Sequence, residues 1–288
     1  LLKNSVISPS QKLHAYNTFV HPKMVFYFRN AYIPFFDITA WKTGWEIVVR
    51  KEHKEILNLP LYGSNSYIYT DKHHGGIGLT YVFDKYMVQT VTHSFYLLNS
   101  SDSFVRDAVW TTLEHASRNQ LRHDILKWIN EGFHSSACDH WWNKIQHAIF
   151  SLKSLGISIR FGDDFPSTCI TIRLDNADYH ISSTIRSNEK GKVSEFLRKC
   201  LSLHYLFSWT EQKSAGRSAS ALSLSSYTTS VVYKSHLSAS EWQFIQLRRS
   251  YNLPVSCRFG KSDLCRRCQE NAETLMHVLC VCRPFMTY

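Results

Sequence analysis

Near the carboxyl end of the chain, four residues with metal-binding side chains occur at the spacing of a zinc module. The segment CRRCQENAETLMHVLCVC places Cys265 and Cys268 in a C-x2-C pair, and His277 and Cys282 complete a C-x2-C-x8-H-x4-C array. Structural Zn²⁺ takes four sulfur and nitrogen ligands in a tetrahedron, and a tight C-x2-C turn offers two thiolates from one side. The spacing therefore predicts a small module that Zn²⁺ stabilises in place of a hydrophobic core.

Local geometry leaves the fourth ligand of this array open. On an ideal helix, Cys280 lies three positions after His277 and on nearly the same face. Cys282 lies well round the helix unless the last turn unwinds. On the residues alone, Cys280 therefore remains an alternative to Cys282.

The overall charge of the chain favours a polyanionic partner. The formal net charge is +10 at pH 7, and 14% of the residues are aromatic. A basic, aromatic-rich chain is typical of proteins that bind nucleic acid, although the charge here is spread along the sequence. Four of the eight cysteines lie near the carboxyl end, which favours a metal site in a reducing compartment over a disulfide framework. The sequence has no apolar run long enough to span a membrane.

A long amphipathic pattern begins after Thr39 and ends at Leu59-Pro60. Its inner face is predicted to consist of Trp41, Trp45, Val48, Val49, Ile56 and Leu57. Its outer face is predicted to carry Lys42, Arg50, Lys51 and Lys54. A nucleic-acid backbone could follow the outer lysines, but a solvated helix face usually carries such charges as well.

Six basic residues are candidates for nucleic-acid contacts. They are Lys51, Lys54, Arg248, Arg249, Arg266 and Arg267. A metal loop would direct Arg266 and Arg267 outward, where they suit phosphate contacts or serve only solubility. Arg248 and Arg249 fall in a helix that a Ser238 and Glu241 capping box opens.

Elsewhere the apolar residues recur mostly at helical spacing. A first helix is predicted to start at Ser8-Pro9 and to be interrupted by Pro22, and an apolar, buried helix is expected over about 23–31. The segment SYIYT reads as a short strand, and His73 and His74 as surface residues of the loop that follows it. Over 157–185 the period changes to two, which predicts a small antiparallel meander with turns at 162–166 and 175–178.

Two weaker patterns suggest other chemistry. Phe161-Gly162-Asp163-Asp164 matches the aromatic-x-Asp-Asp pattern of polymerase palms, in which paired carboxylates hold two magnesium ions. No preceding strand offers a third aspartate, and Gly-Asp-Asp-Phe-Pro is ordinary turn chemistry, so we interpret this segment as a turn. His134, Cys138 and His140 lack a fourth donor at ligand spacing. The sequence contains no nucleophile elbow, no P-loop and no G-x-G-x-x-G motif.

Five segments, in order, resemble the C-terminal half of a non-LTR retrotransposon polyprotein. They are SPSQKLHAYNTFVHPKMVFYFRN, RKEHKEILNLP, YIYTDKHHGGIGL, SASEWQFIQLRRSYNLP and CRRCQENAETLMHVLCVC. The chain is most similar to the site-specific type that has a single open reading frame, inserts into ribosomal RNA genes and ends in a restriction-like endonuclease. Residues from about 130 to 235 contain no motif that matches this family.

The resemblance implies a ligand set, partners and a location. The family spacing assigns the zinc ligands to Cys265, Cys268, His277 and Cys282, and so favours Cys282 over Cys280. It implies that the chain grips template RNA and target DNA in the nucleus. In the family, the polymerase palm precedes the matched segments and the endonuclease follows them. We therefore expect a fragment of an RNA-directed DNA polymerase that is inactive by itself.

Two other interpretations stay open. One is a free-standing zinc-binding module for nucleic acid or protein, without polymerase ancestry. The other is a decayed, inactive copy of an element.

Together these patterns predict an α+β chain, mainly helical, in five segments. These are thumb-like helices at 1–62, a helical linker region at 63–135, an α/β linker with a small antiparallel sheet at 136–213, a Ser-rich linker at 214–236, and a helix followed by a CCHC zinc knuckle at 237–288.

Overall fold

The chain is α+β, as the sequence predicts. The computed structural model describes residues 4–30, 44–117, 122–131, 141–164, 167–176, 179–213, 215–216, 219–220, 238–250, 264–274, 277–278 and 282. Within these ranges the protein is mainly helical and has one small three-stranded antiparallel sheet. Most of the predicted Ser-rich linker at 214–236 lies outside the described residues, and the predicted domain boundaries stay predictions.

The helices fall into three groups along the chain. The first group is α1 (Pro9–Ala15), α2 (His21–Asn30), α3 (Trp45–Ile56) and α4 (Asn65–Tyr69). The second group is α5 (Val82–Leu98), α6 (Ser103–Ala116), α7 (Arg122–Glu131) and α8 (Asn143–Lys153). The sheet follows, with strands β1 (Ile157–Asp164), β2 (Ser167–Asn176) and β3 (Tyr179–Ile185). The last two helices are α9 (Gly191–Thr210) and α10 (Ala239–Arg249).

Helix α1 starts at the predicted cap. The Ser8 hydroxyl accepts the backbone N–H of Gln11, and the Gln11 side chain accepts the backbone N–H of Ser8. A wider π-helical turn over Tyr16–Val20 joins α1 to α2. Pro22 then lies in the first turn of α2, directly after the π-helical turn, and the helical path continues through it. The prediction that Pro22 interrupts the helical path is therefore wrong.

Helix α2 is only partly buried, contrary to the prediction. His21 and Phe28 are buried, whereas Phe26 and Tyr27 are 67% and 63% exposed. The apolar run covers a full turn of the helix, and only one side of that turn packs against α5.

Helix α3 is rotated relative to its predicted inner face. Val49 and Leu57 are buried as predicted, but Val48 is 57% exposed and Lys54 is buried. Polar residues occupy the inner side, because the buried Glu46 carboxylate accepts a hydrogen bond of 2.9 Å from the Tyr69 hydroxyl. Trp41, Lys42, Thr39 and the side chain of Trp45 lie outside the described residues.

The segment SYIYT is helical and not a strand. Ser64 caps α4 by accepting the backbone N–H of Tyr67, and residues 66–69 are all buried. A helix buried on every side shows no apolar stripe, so its sequence could not reveal the helical period. His73 and His74 lie in the short turn that follows, and the next residue, Gly75, has a φ of 83° that glycine adopts without strain.

Helix α5 lies at the centre of the core. It contacts α2, α6, α8, α9 and strand β2. Its fully buried side chains include Met87, Val91 and Phe95, and the Phe95 ring lies 6.4 Å from the ring of Phe161 on β1. The sheet and the helices therefore share one hydrophobic core.

The sheet has the predicted meander topology, with strand order β1-β2-β3. Its inner face buries alternate residues, namely Ile157, Ile159, Phe161, Ile170, Ile172 and Leu174. Asn130 of α7 covers the free edge of β1, because its amide donates to the Phe161 carbonyl at 2.8 Å and accepts the Phe161 N–H at 2.7 Å. The outer face of the sheet stays polar and accessible to solvent.

Candidate metal centre

The four predicted ligands converge at one point. One donor atom from each of Cys265, Cys268, His277 and Cys282 lies within 4.8 Å of the other three. The Sγ atoms of Cys265 and Cys282 are 3.7 Å apart, and Cys268 Sγ lies 3.1 Å from His277 Nε2. Two sulfurs in a tetrahedral site with metal–sulfur bonds of about 2.3 Å are separated by about 3.8 Å. These side chains could therefore bind a metal ion.

Backbone hydrogen bonds shape the turn that carries the first two cysteines. Cys265 N donates to Asn271 O at 2.7 Å, and Gln269 N donates to Cys265 O at 2.8 Å. Gln269 adopts a left-handed φ of 57°, which reverses the chain after Cys268. The closed turn directs both sulfurs to the same side.

A wide turn brings the last cysteine to the cluster. The Thr274 hydroxyl accepts the N–H of His277 at 3.1 Å and so starts the turn. Cys282 N then donates to His277 O at 2.7 Å, a hydrogen bond that spans five residues as in a π-helix. Such a turn is less tightly wound than an α-helix, which is the condition under which Cys282 was expected to reach the site. Cys280 lies outside the described residues.

The polar surroundings favour one thiolate within the cluster. The backbone N–H groups of Cys268 and Arg267 lower the pKa of Cys265 to about 6, with smaller contributions from Cys282 and His277. Burial, followed by the neighbouring sulfurs, raises the pKa of Cys282 to about 11. A divalent cation at the centre would offset the repulsion between thiolates that contributes to the high pKa of Cys282.

The segment 264–282, which carries the four candidate ligands, is called the metal turn. Glu273 stabilises this turn, and the sequence did not predict its role. Its carboxylate is buried and accepts hydrogen bonds from the Arg266 backbone N–H at 2.7 Å and from the Arg266 guanidinium at 2.6 Å. The fork-shaped guanidinium pairs with both carboxylate oxygens. The sequence offered two acidic residues near the Arg266-Arg267 pair, Glu270 and Glu273, and nothing in it distinguished between them.

The six basic residues that are candidates for nucleic-acid contacts differ in their burial and in their hydrogen-bond partners. Lys54 is buried, and its ammonium donates to the carbonyl oxygens of Leu61 at 2.6 Å and Gly63 at 2.7 Å. Its predicted position on an outer basic face is therefore wrong. Arg249 is buried on the inner face of α10, and Arg266 is paired with Glu273. Arg266 stays exposed despite this pairing, as do Lys51, Arg248 and Arg267.

The Asp-Asp pattern lies at the end of a strand. Strand β1 runs through Asp164, and its register pairs Asp163 with Thr168 and Asp164 with Ser167. The connection is therefore confined to 165–166, later than the predicted start of the turn at residue 162. The side chains of Asp163 and Asp164, like residues His134, Cys138 and His140, lie outside the described part of the chain.

No protein-family model matches the chain, and no match is found among curated proteins. Among the helices that the structure describes, none combines the length and hydrophobicity of a transmembrane segment.

Proposed function

We propose that the chain is the zinc-dependent, nucleic-acid-binding part of a non-LTR retrotransposon reverse transcriptase, which holds template RNA and target DNA during target-primed reverse transcription. The convergence of three sulfurs and one imidazole nitrogen carries the proposal. Thiolate-rich tetrahedral sites suit Zn²⁺ and do not suit Mg²⁺ or Ca²⁺. Four protein ligands leave no open position for a substrate, which favours a structural ion over a catalytic one.

The charge of the chain and the order of its segments support the proposals of nucleic-acid binding and retrotransposon ancestry. The net charge of +10 suits a phosphate backbone, and Arg267 projects from the metal turn with its side chain exposed. The five segments that resemble the retrotransposon family occur in the family order. In that family the palm and the endonuclease lie outside these segments, so this chain would bind nucleic acid in the nucleus without catalysing a reaction.

Metal content and RNA binding, measured together, test this function. We expect about one Zn²⁺ per chain by mass spectrometry, and binding to a structured RNA that weakens steeply as salt rises. Cys268→Ser should lose the ion and weaken RNA binding. Cys169→Ser is the matched control, because Cys169 lies on the outer face of the sheet and does not belong to the cluster. A protein that folds and binds RNA equally well without metal would contradict the proposal.

Ancestry needs a separate test. The coding sequence on either side of this segment should encode a palm with metal-binding aspartates upstream and a nuclease downstream. A free-standing gene would favour an independent zinc module, and a reading frame interrupted by stop codons would favour a decayed element.

A further inference from the structure

A basic groove lies far in sequence from the metal centre, in the region that contains no motif of the family. It has a volume of about 800 Å³ and runs between α7, α8 and the β1 side of the sheet. Its charged lining residues are Lys127, Glu131, Lys153, Arg160 and Arg173. Among the described lining residues, four cations thus face one carboxylate, which makes the groove attractive to a polyanion.

Strand alternation and helix packing together build this groove. On β1, Ile159 and Phe161 point into the core, so Arg160 points to the outer face of the sheet. Helices α7 and α8 pack against β1 and supply Lys127 and Lys153 from the flank. Lys127, Lys153 and Arg160 therefore come from three separate elements whose relative positions the shared core fixes.

Three of these cations are available to a ligand. Lys127, Lys153 and Arg160 are exposed, and they make no hydrogen bond or ion pair within the described residues. Arg173, by contrast, donates to the Asp175 carboxylate at 2.7 Å. Like charges that share a surface without internal partners repel one another, and a bound anion would relieve that repulsion.

The outer face of the sheet lacks a platform for bases. Its described residues are small or polar, namely Ser158, Arg160, Cys169, Thr171, Arg173, Asp175, His180, Ser182 and Thr184. Proteins that read single-stranded bases usually stack them on aromatic side chains, and the one aromatic ring on this described face, His180, is held by Asp175 and Arg173. Contacts in the groove would therefore be made with phosphates and would not distinguish sequences.

From this geometry we infer that the groove binds the sugar–phosphate backbone of a nucleic-acid strand, with Lys127, Lys153 and Arg160 contacting its phosphates. This inference rests on the proposed function, because it assumes that the protein binds nucleic acid. It adds to the metal module a second contact region, formed by Lys127, Lys153 and Arg160.

Neutralisation of the three cations in the full chain tests the groove. The variant Lys127→Gln/Lys153→Gln/Arg160→Gln is compared with Lys23→Gln/Lys199→Gln/Lys213→Gln, which removes the same charge from exposed residues elsewhere. Binding of an oligouridylate of about 20 nucleotides is followed by fluorescence anisotropy. Three lost phosphate contacts should lower the slope of log affinity against log salt by about 2, and affinity at about 0.1 M salt by up to about 100-fold. The control variant should change affinity by less than about threefold.

A charge-conserving variant separates charge from folding. Lys127→Arg/Lys153→Arg/Arg160→Lys should bind as the wild-type protein does, because backbone contacts depend on charge and not on a particular donor geometry. Circular dichroism and metal content should be the same in all variants. Oligouridylate and a mixed sequence of equal length should bind within about threefold of each other.

Each other outcome has a definite meaning. If the wild-type protein binds RNA and the groove variant binds equally well, the groove inference fails and the proposed function stands. If the wild-type protein binds no nucleic acid, both fail. If polyglutamate binds as tightly as RNA and the groove variant loses both, the groove belongs to an acidic protein partner and the inference is overturned.

Discussion

The helical body and the metal turn are held together by different forces. In the body, large side chains such as Tyr67, Phe95 and Leu113 are fully buried. In the metal turn, the buried side chains among the described residues are Cys265, Glu273, His277 and Cys282, which are polar or metal-binding. The body therefore depends on hydrophobic burial, and the turn on ligation and one ion pair. Damage to either region should leave the other largely intact.

The largest local effect is expected from removal of a ligand. His277→Ala should abolish tight metal binding, which in structural zinc sites contributes on the order of 10 kcal/mol of folding free energy. Hydrogen exchange should become fast over 264–282, while far-ultraviolet circular dichroism of the helices changes little. Persistent protection of 264–282 would show that the turn does not need the metal.

Truncation of a buried side chain in the helical body should lower the stability of the body and leave metal binding unchanged. Phe95→Ala removes a fully buried ring between α5 and β1 and should cost about 3–5 kcal/mol in the free energy of unfolding. Urea denaturation measures this loss, and the metal content of the folded protein should stay the same. Phe104→Ala is the control, because Phe104 is 81% exposed and should change stability by less than about 0.5 kcal/mol. Equal effects of both substitutions would contradict the assigned core.

Acid should weaken the body through a buried histidine. Burial, with a smaller contribution from His21, lowers the pKa of His53 from 6.5 to about 4. Between these pH values the unfolded chain binds a proton that the folded chain does not. Neutral His53 therefore makes its full contribution to the free energy of unfolding above pH 6.5, and this contribution is lost as pH falls towards 4.

His53→Phe tests this linkage. As pH falls from 6.5 to about 4, the free energy of unfolding should decrease by up to about 3 kcal/mol less in the variant than in the wild-type protein. Urea denaturation at each pH measures this difference. The difference between the two proteins isolates His53 from Glu46, whose pKa is raised to about 7 mainly by burial and which acts in the opposite direction. Parallel pH profiles for the two proteins would show that His53 does not titrate in this way.

The smallest effect is expected at the ion pair of the metal turn. Glu273→Gln weakens the contact that orients the backbone between the first two cysteines, and should reduce metal affinity by about 10- to 100-fold. Competition with a chromophoric chelator measures this change. Glu270→Gln, an exposed neighbour in the same turn, should leave the affinity unchanged. If both variants bind metal equally well, Glu273 has no such role.

The elements that local rules govern could be predicted from the sequence. The helix start predicted at Ser8-Pro9 and the capping box predicted at Ser238 form as expected, and the period-two segment forms the three-stranded meander. Both depend on residues a few positions apart, so neighbouring side chains carry the whole signal. The spacing of the Cys/His array belongs to the same class, since one short segment supplies every ligand.

Contacts between residues far apart in the chain explain why some side chains were wrongly predicted to face the solvent. The rotation of α3 follows from the hydrogen bond between Glu46 and Tyr69, and Asp84 is similarly buried where it accepts a hydrogen bond of 2.7 Å from Tyr205. A polar residue in a pattern predicts a solvent-facing side chain unless a partner buries it. The partner's position becomes known only when the elements have packed.

The amino-acid sequence by itself determined the α+β class, the meander and the residues that could bind a metal ion, because these depend on periodicity and short spacings along the chain. Tertiary structure alone decided that Lys54 and Arg249 are buried, that Glu273 clamps the metal turn, and that cations from α7, α8 and β1 line one groove. The physical reason is that burial and electrostatic pairing depend on which surfaces meet, and those surfaces come from residues far apart in the chain.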